Sequence, residues 1–338
     1  MINNIKMRLQ SLNIGIVVQK FASWIILLIL MIVFTCLSPN FLTKKNIVNI
    51  LSQNAYILVA SLGVTFVLLA GSIDLSIGYQ MSLVGIISAI LMIDYRVPVF
   101  LVIPIALAAG VIMSLLNGIL STKMKLPLMM VSLGTMISFQ GLSYVISQSR
   151  TINRFPESFK FLGQGSVGNI PFPVLLSFAL FFIVNFFLNH TYFGQYVYAL
   201  GGNEEASRLS GINVKRMRLM VSVICGFFTA LSAIMLVGRA GSAHSGTGPG
   251  TEFTVITAII LGGVSMGGGS GKLSGVLAGV FSLALISNGM QLAGLGTYYQ
   301  YVAKGIILLG AIGFDVFQKE RQKSEKSLRR QMEKRNSP

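Results

Sequence analysis

The stretch Ala55-Tyr-Ile-Leu-Val-Ala-Ser-Leu-Gly-Val-Thr-Phe-Val-Leu-Leu-Ala-Gly-Ser-Ile73 contains no Asp, Glu, Lys or Arg, and it runs straight into a carboxylate, Asp74. A helix crosses the hydrocarbon core of a bilayer with about 20 apolar residues, so this one stretch already predicts a membrane span. Residues 21–42 and 273–296 are equally free of charge. Working outward, 53% of the 338 residues are hydrophobic, only 11% are charged, and the mean hydropathy is +0.75. Soluble domains carry about a quarter charged residues, so a water-soluble fold is excluded.

Apolar runs separated by polar punctuation predict ten spans, near 21–42, 55–73, 75–93, 97–122, 127–148, 171–188, 219–238, 253–264, 273–293 and 299–315. The fold class is therefore an all-α polytopic membrane protein with about ten transmembrane helices. An even number of crossings places both termini on one side, and the basic residues from Lys319 to Arg335 make that side the cytoplasm. The organisation is a basic cytoplasmic N-terminus over residues 1–20, a membrane domain over 21–315 and a basic cytoplasmic tail over 316–338. The N-terminus is not read as a cleaved signal, because the apolar run after it exceeds the 7 to about 15 residues of a signal core.

The alternation puts Lys123, Lys125, Arg208, Lys215, Arg216, Arg218 and Lys272 inside, and leaves Lys44, Lys45, Arg96, Arg150, Arg154, Lys160 and Arg239 outside. Most basic residues fall inside, as orientation in a membrane demands. The net charge of +16 thus reads as membrane topology, and no basic stripe interleaved with aromatics points to nucleic acid. Cys36 and Cys225 both lie in apolar runs, so neither a disulfide framework nor a metal site is indicated.

Four polar features interrupt the apolar pattern. The internal connection 190–218 contains Gly201-Gly-Asn-Glu-Glu-Ala-Ser-Arg-Leu-Ser-Gly211, which has the grammar of a short helix. Asn203 is its N-cap, Glu204 and Glu205 sit at the positive dipole end, and Gly211 closes it. Asn213 can cap a second helix. The alternative is an ordinary amphipathic loop.

Gly71-Ser-Ile-Asp-Leu-Ser-Ile-Gly78 sets a carboxylate between two apolar runs, where a charge at mid-membrane costs about 2.5–3.5 kcal/mol. Asp74 and Ser76 can cap the following helix in a tight turn at the cytoplasmic interface, or contact a substrate directly. Leu261-Gly-Gly-Val-Ser-Met-Gly-Gly-Gly-Ser-Gly-Lys272 resembles a phosphate-binding loop only superficially. G-x-x-x-x-G-K-[ST] would need glycine at Met266 and a hydroxyl at Leu273, so Gly262, Gly263 and Gly267 read instead as a re-entrant break or close helix packing. The external stretches 150–170 and 239–252 read as loops, the first with the option of a short surface helix. His244 is read as a loop residue.

Phe66-Val-Leu-Leu-Ala-Gly71 and Ala258-Ile-Ile-Leu-Gly-Gly263 form a weak internal echo, as transporter halves do. Neutral polar and aromatic residues inside spans are the candidate pathway: Gln80, Asn117, Phe139, Gln140, Asn288 and Gln291. Amides and aromatics suit an uncharged, hydroxyl-rich solute.

Together, Gly71-Ser-Ile-Asp-Leu-Ser-Ile-Gly78, Gly201-Gly-Asn-Glu-Glu-Ala-Ser-Arg-Leu-Ser-Gly-Ile212 and Leu261-Gly-Gly-Val-Ser-Met-Gly-Gly-Gly-Ser-Gly271 resemble the permeases of ribose-type ABC sugar importers. The resemblance runs in order from about residue 40 to 315. It implies a membrane pathway for a sugar or sugar-like solute in the bacterial inner membrane, no bound cofactor, and ATP-Mg held by a separate cytoplasmic ABC ATPase. It implies further partners: a second permease copy, identical or similar, an extracytoplasmic sugar-binding protein, and membrane lipid. Gly202, Asn203, Glu204, Glu205, Ala206, Arg208, Leu209, Ser210 and Gly211 match the family's ATPase-coupling helix, and Gly71, Asp74, Ser76, Gly78, Gly262, Gly263 and Gly267 would serve as gate or turn. The competing expectations are an ion-coupled secondary transporter, with Asp74, Glu252 and Lys304 as coupling groups, and a membrane enzyme, for which no catalytic constellation is visible.

Overall fold

A bilayer offers no partner to an open N–H or C=O, so each apolar run must close its hydrogen bonds on itself as a helix. The computed structural model describes residues 21–336, with side chains as far as Phe317 and at Glu320. The predicted N-terminal segment 1–20 lies outside the described residues.

Six helices and the first half of a seventh are long and apolar enough to cross a membrane: α2 (Lys44–Leu69), α4 (Val99–Met124), α5 (Leu128–Ser147), α7 (Phe172–His190), α10 (Val214–Ala240), α12 (Leu273–Leu292) and the Thr297–Phe317 part of α13 (Thr297–Asn336). Three shorter apolar helices, α1 (Phe21–Leu37), α3 (Ile77–Ile93) and α11 (Thr251–Leu261), complete a set that matches the ten predicted spans one for one. The polar connections add α6 (Glu157–Gln164), α8 (Tyr192–Gly202) and α9 (Glu204–Leu209).

The largest difference at a helix start is at α2, which begins at Lys44 and not near residue 55. Thr43 caps it by accepting the Asn46 amide, and Asn46 then exchanges two 2.9 Å amide bonds with Asn288 of α12. Polar residues whose groups are answered by a neighbour can continue a helix that hydropathy alone would end. At the other extreme, α13 runs unbroken from Thr297 to Asn336, so the basic tail is a change of chemistry along one helix and not a separate backbone element.

Two helices, α2 and α10, form the centre, and two-thirds of the apolar window of each is buried. Leu58, Leu62, Leu68 and Leu69 of α2 and Ile234 and Met235 of α10 are almost wholly enclosed. The outer ring is inverted: Ile112, Val145, Phe182, Phe186 and Ile306 are more than half exposed, as side chains solvated by lipid require. Cys225 is core filler, whereas Cys36 is exposed on α1.

The connections sort to two ends. At one end Ile152–Asn153 pairs antiparallel with Ser242–Ala243, and Arg150 pairs with Asp94, which ties the 94–98, 148–171 and 241–250 connections together. A second small pair, Ser166–Val167 with Ile170–Pro171, lies in the same region. Helix α6 packs Phe159 and Gly163 against α10 and is not a free surface helix, since a Cβ on Gly163 would sit 2.2 Å from the Arg239 amide nitrogen. At the other end lie residues 70–76, 125–127, 190–213 and 262–272, whose contacts define the site.

Candidate functional site

Two apolar helices stop in the same way at the second end. Helix α2 closes with Gly71 N–H on Leu68 O and Ser72 N–H on Val67 O, and α11 closes with Gly263 N–H on Ile260 O and Val264 N–H on Ile259 O. This six-to-one, five-to-two pairing needs a left-handed residue after the cap; Gly71 (φ +74°) and Gly263 (φ +85°) supply it without a Cβ penalty. The sequence echo is therefore a repeated helix terminus.

The two breaks touch through backbone. Gly269 N–H donates to Leu69 O at 2.9 Å, and a Cβ on Gly268 would lie 2.6 Å from the Gly71 nitrogen. The C-terminus of α8 closes this junction from the side: a Cβ on Gly201 would fall 1.9 Å from Leu69 O and 2.5 Å from the Gly269 nitrogen. Tyr198 adds a 3.0 Å hydrogen bond to Gly271 O. Among the glycines expected here, Gly262 packs against Gly275 of α12, and Gly267 donates its amide to Ser265 Oγ. The Gly202 backbone lies against Gly269, but a Cβ added to it would meet nothing within 4 Å, so the position that cannot take a side chain is Gly201; the sequence showed the pair but not which backbone faces it.

Directly after this junction comes α9. Asn203 Oδ1 accepts the Ala206 amide at 2.9 Å, and the helix closes with Gly211 N–H on Arg208 O and Ile212 N–H on Ser207 O. Asn213 Oδ1 caps α10 by accepting from Arg216 N–H at 3.0 Å. Glu205 pairs with Arg208 along α9, and its hydrogen bond holds the Arg208 guanidinium above its already high ordinary pKa. Glu204 reaches Arg218 at the start of α10, which ties α9 to a central helix. Ser210 bonds back to Ala206 O. Leu209 stands 79% exposed, a bare apolar side chain on a charged helix.

The break at 70–76 holds the buried carboxylate, and here one expectation changes. Asp74 is 2% exposed, so its carboxylate is enclosed by protein within the turn. Ser76 does not cap α3 with its oxygen, because its hydroxyl donates to Asp74 Oδ1 at 2.6 Å while its amide donates to the same atom at 2.9 Å. Ser76 Oγ in turn accepts from Gln80 Nε2 (2.7 Å) and Asn117 Nδ2 (2.8 Å), and Gln80 Oε1 accepts from Ser114 Oγ (2.9 Å). The carboxylate is thus embedded in a network that joins α3 to α4, while Leu75 N–H on Ser132 Oγ adds α5. Hydrogen-bonded in this way a buried polar group is tolerated; unpaired it costs about 1–3 kcal/mol. The Asn117 Oδ1 atom is left without a partner.

The candidate pathway residues do not converge. Gln80 and Asn117 belong to that network, Phe139 is buried in an apolar cluster, Gln140 is half-buried on α5, Asn288 is committed to Asn46, and Gln291 is exposed. They fail as one set because hydropathy marks polar residues inside spans without saying which side of the helix they occupy. Gly78 is a packing point inside the first turn of α3 and not a turn: its added Cβ would lie 1.9 Å from Glu252 Oε2.

That contact reveals what the 241–250 stretch does. It leaves the first end at Ser242–Ala243, yet Gly248 N–H bonds Ser82 Oγ and Glu252 abuts Gly78, near the start of α3. The connection folds inward from that end, and α11 continues from it to the second end with only eleven residues, about 16 Å of helix. His244 holds the loop, accepting the Gly246 amide on Nδ1. Among the described residues no ion pair joins Asp74, Glu252 and Lys304, and no cluster of metal-ligating side chains is present.

Ten apolar helices, paired broken ends and a capped helix braced against the break define a transport permease. Residues 46–312 match the family described as the branched-chain amino acid transport system / permease component, and the chain belongs to that family. It is a multi-pass inner-membrane protein. It is 34% identical over 306 residues to a ribose import permease protein of Haemophilus influenzae, covering 89% of this chain and 94% of that one. It is 36% identical over 301 residues to the ribose import permease protein of Bacillus subtilis (88% and 93%), and 32% identical over 314 residues to the L-arabinose transport system permease protein of Escherichia coli K12 (93% and 95%). No solved structure matches the chain significantly.

Proposed function

We propose that this chain is the membrane permease of an ATP-driven importer for a sugar or sugar-like solute. Support for the solute class comes from the relatives named for ribose and arabinose import. In this reading α9, with Gly202 to Gly211, docks on a cytoplasmic ATPase that alone holds ATP-Mg; both termini share that side. The 150–170 and 239–252 connections face a solute-binding protein, and a second permease copy completes the pathway. No observation favours ion coupling.

One observation carries the reading: α9 follows directly on Gly201, which is wedged against Leu69 O at the junction of two broken helices. A push on α9 therefore reaches both breaks through backbone contact, without passing through flexible side chains. Leu209, exposed beside Arg208, is the anchor a groove on the ATPase would take.

The test is Leu209→Asp in the assembled complex of permease, ATPase and binding protein. Because Leu209 touches little of its own chain, thermal stability should stay within about 0.5 kcal/mol. Solute-stimulated ATPase should fall about tenfold, the size of a lost hot-spot contact. Normal stimulation and normal uptake in this variant would refute the docking role.

A further inference from the structure

A cavity of about 550 Å³ opens at the α9 end, between the 71–73 turn, the α4–α5 connection and the joint of α9 with α10. Its size falls within the usual range for small-molecule sites, about 300–1,000 Å³. The wall carries three cations, Lys125, Lys215 and Arg218, against one carboxylate, Glu204. Glu204 is committed to Arg218, and among the described residues neither Lys125 nor Lys215 has a carboxylate partner. The cavity therefore holds an excess of positive charge that its own residues do not answer.

Two further observations point to a ligand. Lys125 ends α4 in the left-handed region (φ +57°, ψ +32°), where a lysine is strained and a glycine would be the ordinary choice. Its side chain lines the cavity, which gives a reason for retaining it there. Arg218 Nε is buried without a hydrogen-bond partner, so the guanidinium is only half used by Glu204. Ser121 and Thr122 line the same wall, and Leu126, Leu128 and Met266 supply an apolar side.

We propose that this cavity binds a phosphate ester, its anionic head against Lys125, Lys215 and Arg218 and its organic body against the apolar wall. A phosphate monoester carries about −1.5 to −2 charges at neutral pH, which matches the two unpaired lysines better than a single carboxylate would. The source is either a small soluble monoester or the monoester head of phosphatidic acid, and both present this chemistry at the membrane surface.

The experiment follows thermal unfolding of the full-length chain in phosphatidylcholine nanodiscs during titration with glycerol 3-phosphate, against glycerol plus potassium chloride at matched ionic strength. A saturable rise in Tm of about 2–4 °C identifies a soluble ester. In nanodiscs containing phosphatidic acid, a rise without added ligand, together with loss of the glycerol 3-phosphate response, identifies the lipid. Either gain should weaken about tenfold in Lys125→Gly and in Lys215→Gln. Lys125→Gly also suits the left-handed backbone, so misfolding is not expected of it. Absence of a saturable gain in both nanodisc types, or a gain that persists unchanged in the double variant, overturns the proposal.

Discussion

Gly201 and Gly202 are adjacent and chemically identical, yet they stand in different surroundings. A Cβ at 201 would press to 1.9 Å from Leu69 O, and a Cβ at 202 would meet nothing within 4 Å. Gly201→Ala must shift backbone, an overpacking of about 1–3 kcal/mol, while Gly202→Ala should stay within about 0.5 kcal/mol. Thermal unfolding of the two purified variants reads this directly; equal Tm values would show that α8 is not wedged against the break. The glycine pair was visible in the sequence, but the carbonyl it faces lies some 130 residues away and leaves no mark on local composition. Asp74 shows the same limit. Its need for partners followed from its apolar flanks, but Asn117 became one of those partners only when α4 packed beside α3.

Among the elements, α9 is short enough that its ends decide whether it exists. Six residues cannot sustain a helix by propensity, so the Asn203 cap and the Gly211 terminus carry much of its stability. Asn203→Ala should cost about 1 kcal/mol locally. Hydrogen exchange over residues 204–211 should then speed up several-fold, with exchange in α10 unchanged; unaltered protection in α9 would mean that packing, not capping, holds it. This element was legible because caps are local chemistry. The brevity of α11 was legible too, but not the course of the connection before it: residues 239–252 read as a loop outside the membrane, and only the contacts of Gly248 with Ser82 and of Glu252 with Gly78 reveal that the loop dives inward.

For the whole molecule, the two ends are sorted by tertiary contact as well as by charge. Asn153 and Ser242 are register partners in the strand pair that joins two connections. Paired Cα atoms in such a ladder lie about 4.5–5.5 Å apart, within disulfide reach. With Cys36 and Cys225 replaced, Asn153→Cys combined with Ser242→Cys should cross-link on mild oxidation. After proteolysis between α6 and α10 the fragments should remain joined until reduced. Fragments that separate without reductant would show that these connections do not meet.

Apolar run length, the distribution of basic residues and helix-capping grammar are properties of neighbouring residues. The sequence alone was therefore enough to determine ten apolar helices and the capped α9, and the resemblance of three motifs to sugar-importer permeases pointed to the transporter class. Which glycine is wedged, which polar side chains share a buried network, and how far the 241–250 connection descends depend on groups brought together from distant parts of the chain. Those features were decided only by packing, because close backbone approach and hydrogen-bond pairing exist only once the helices are assembled.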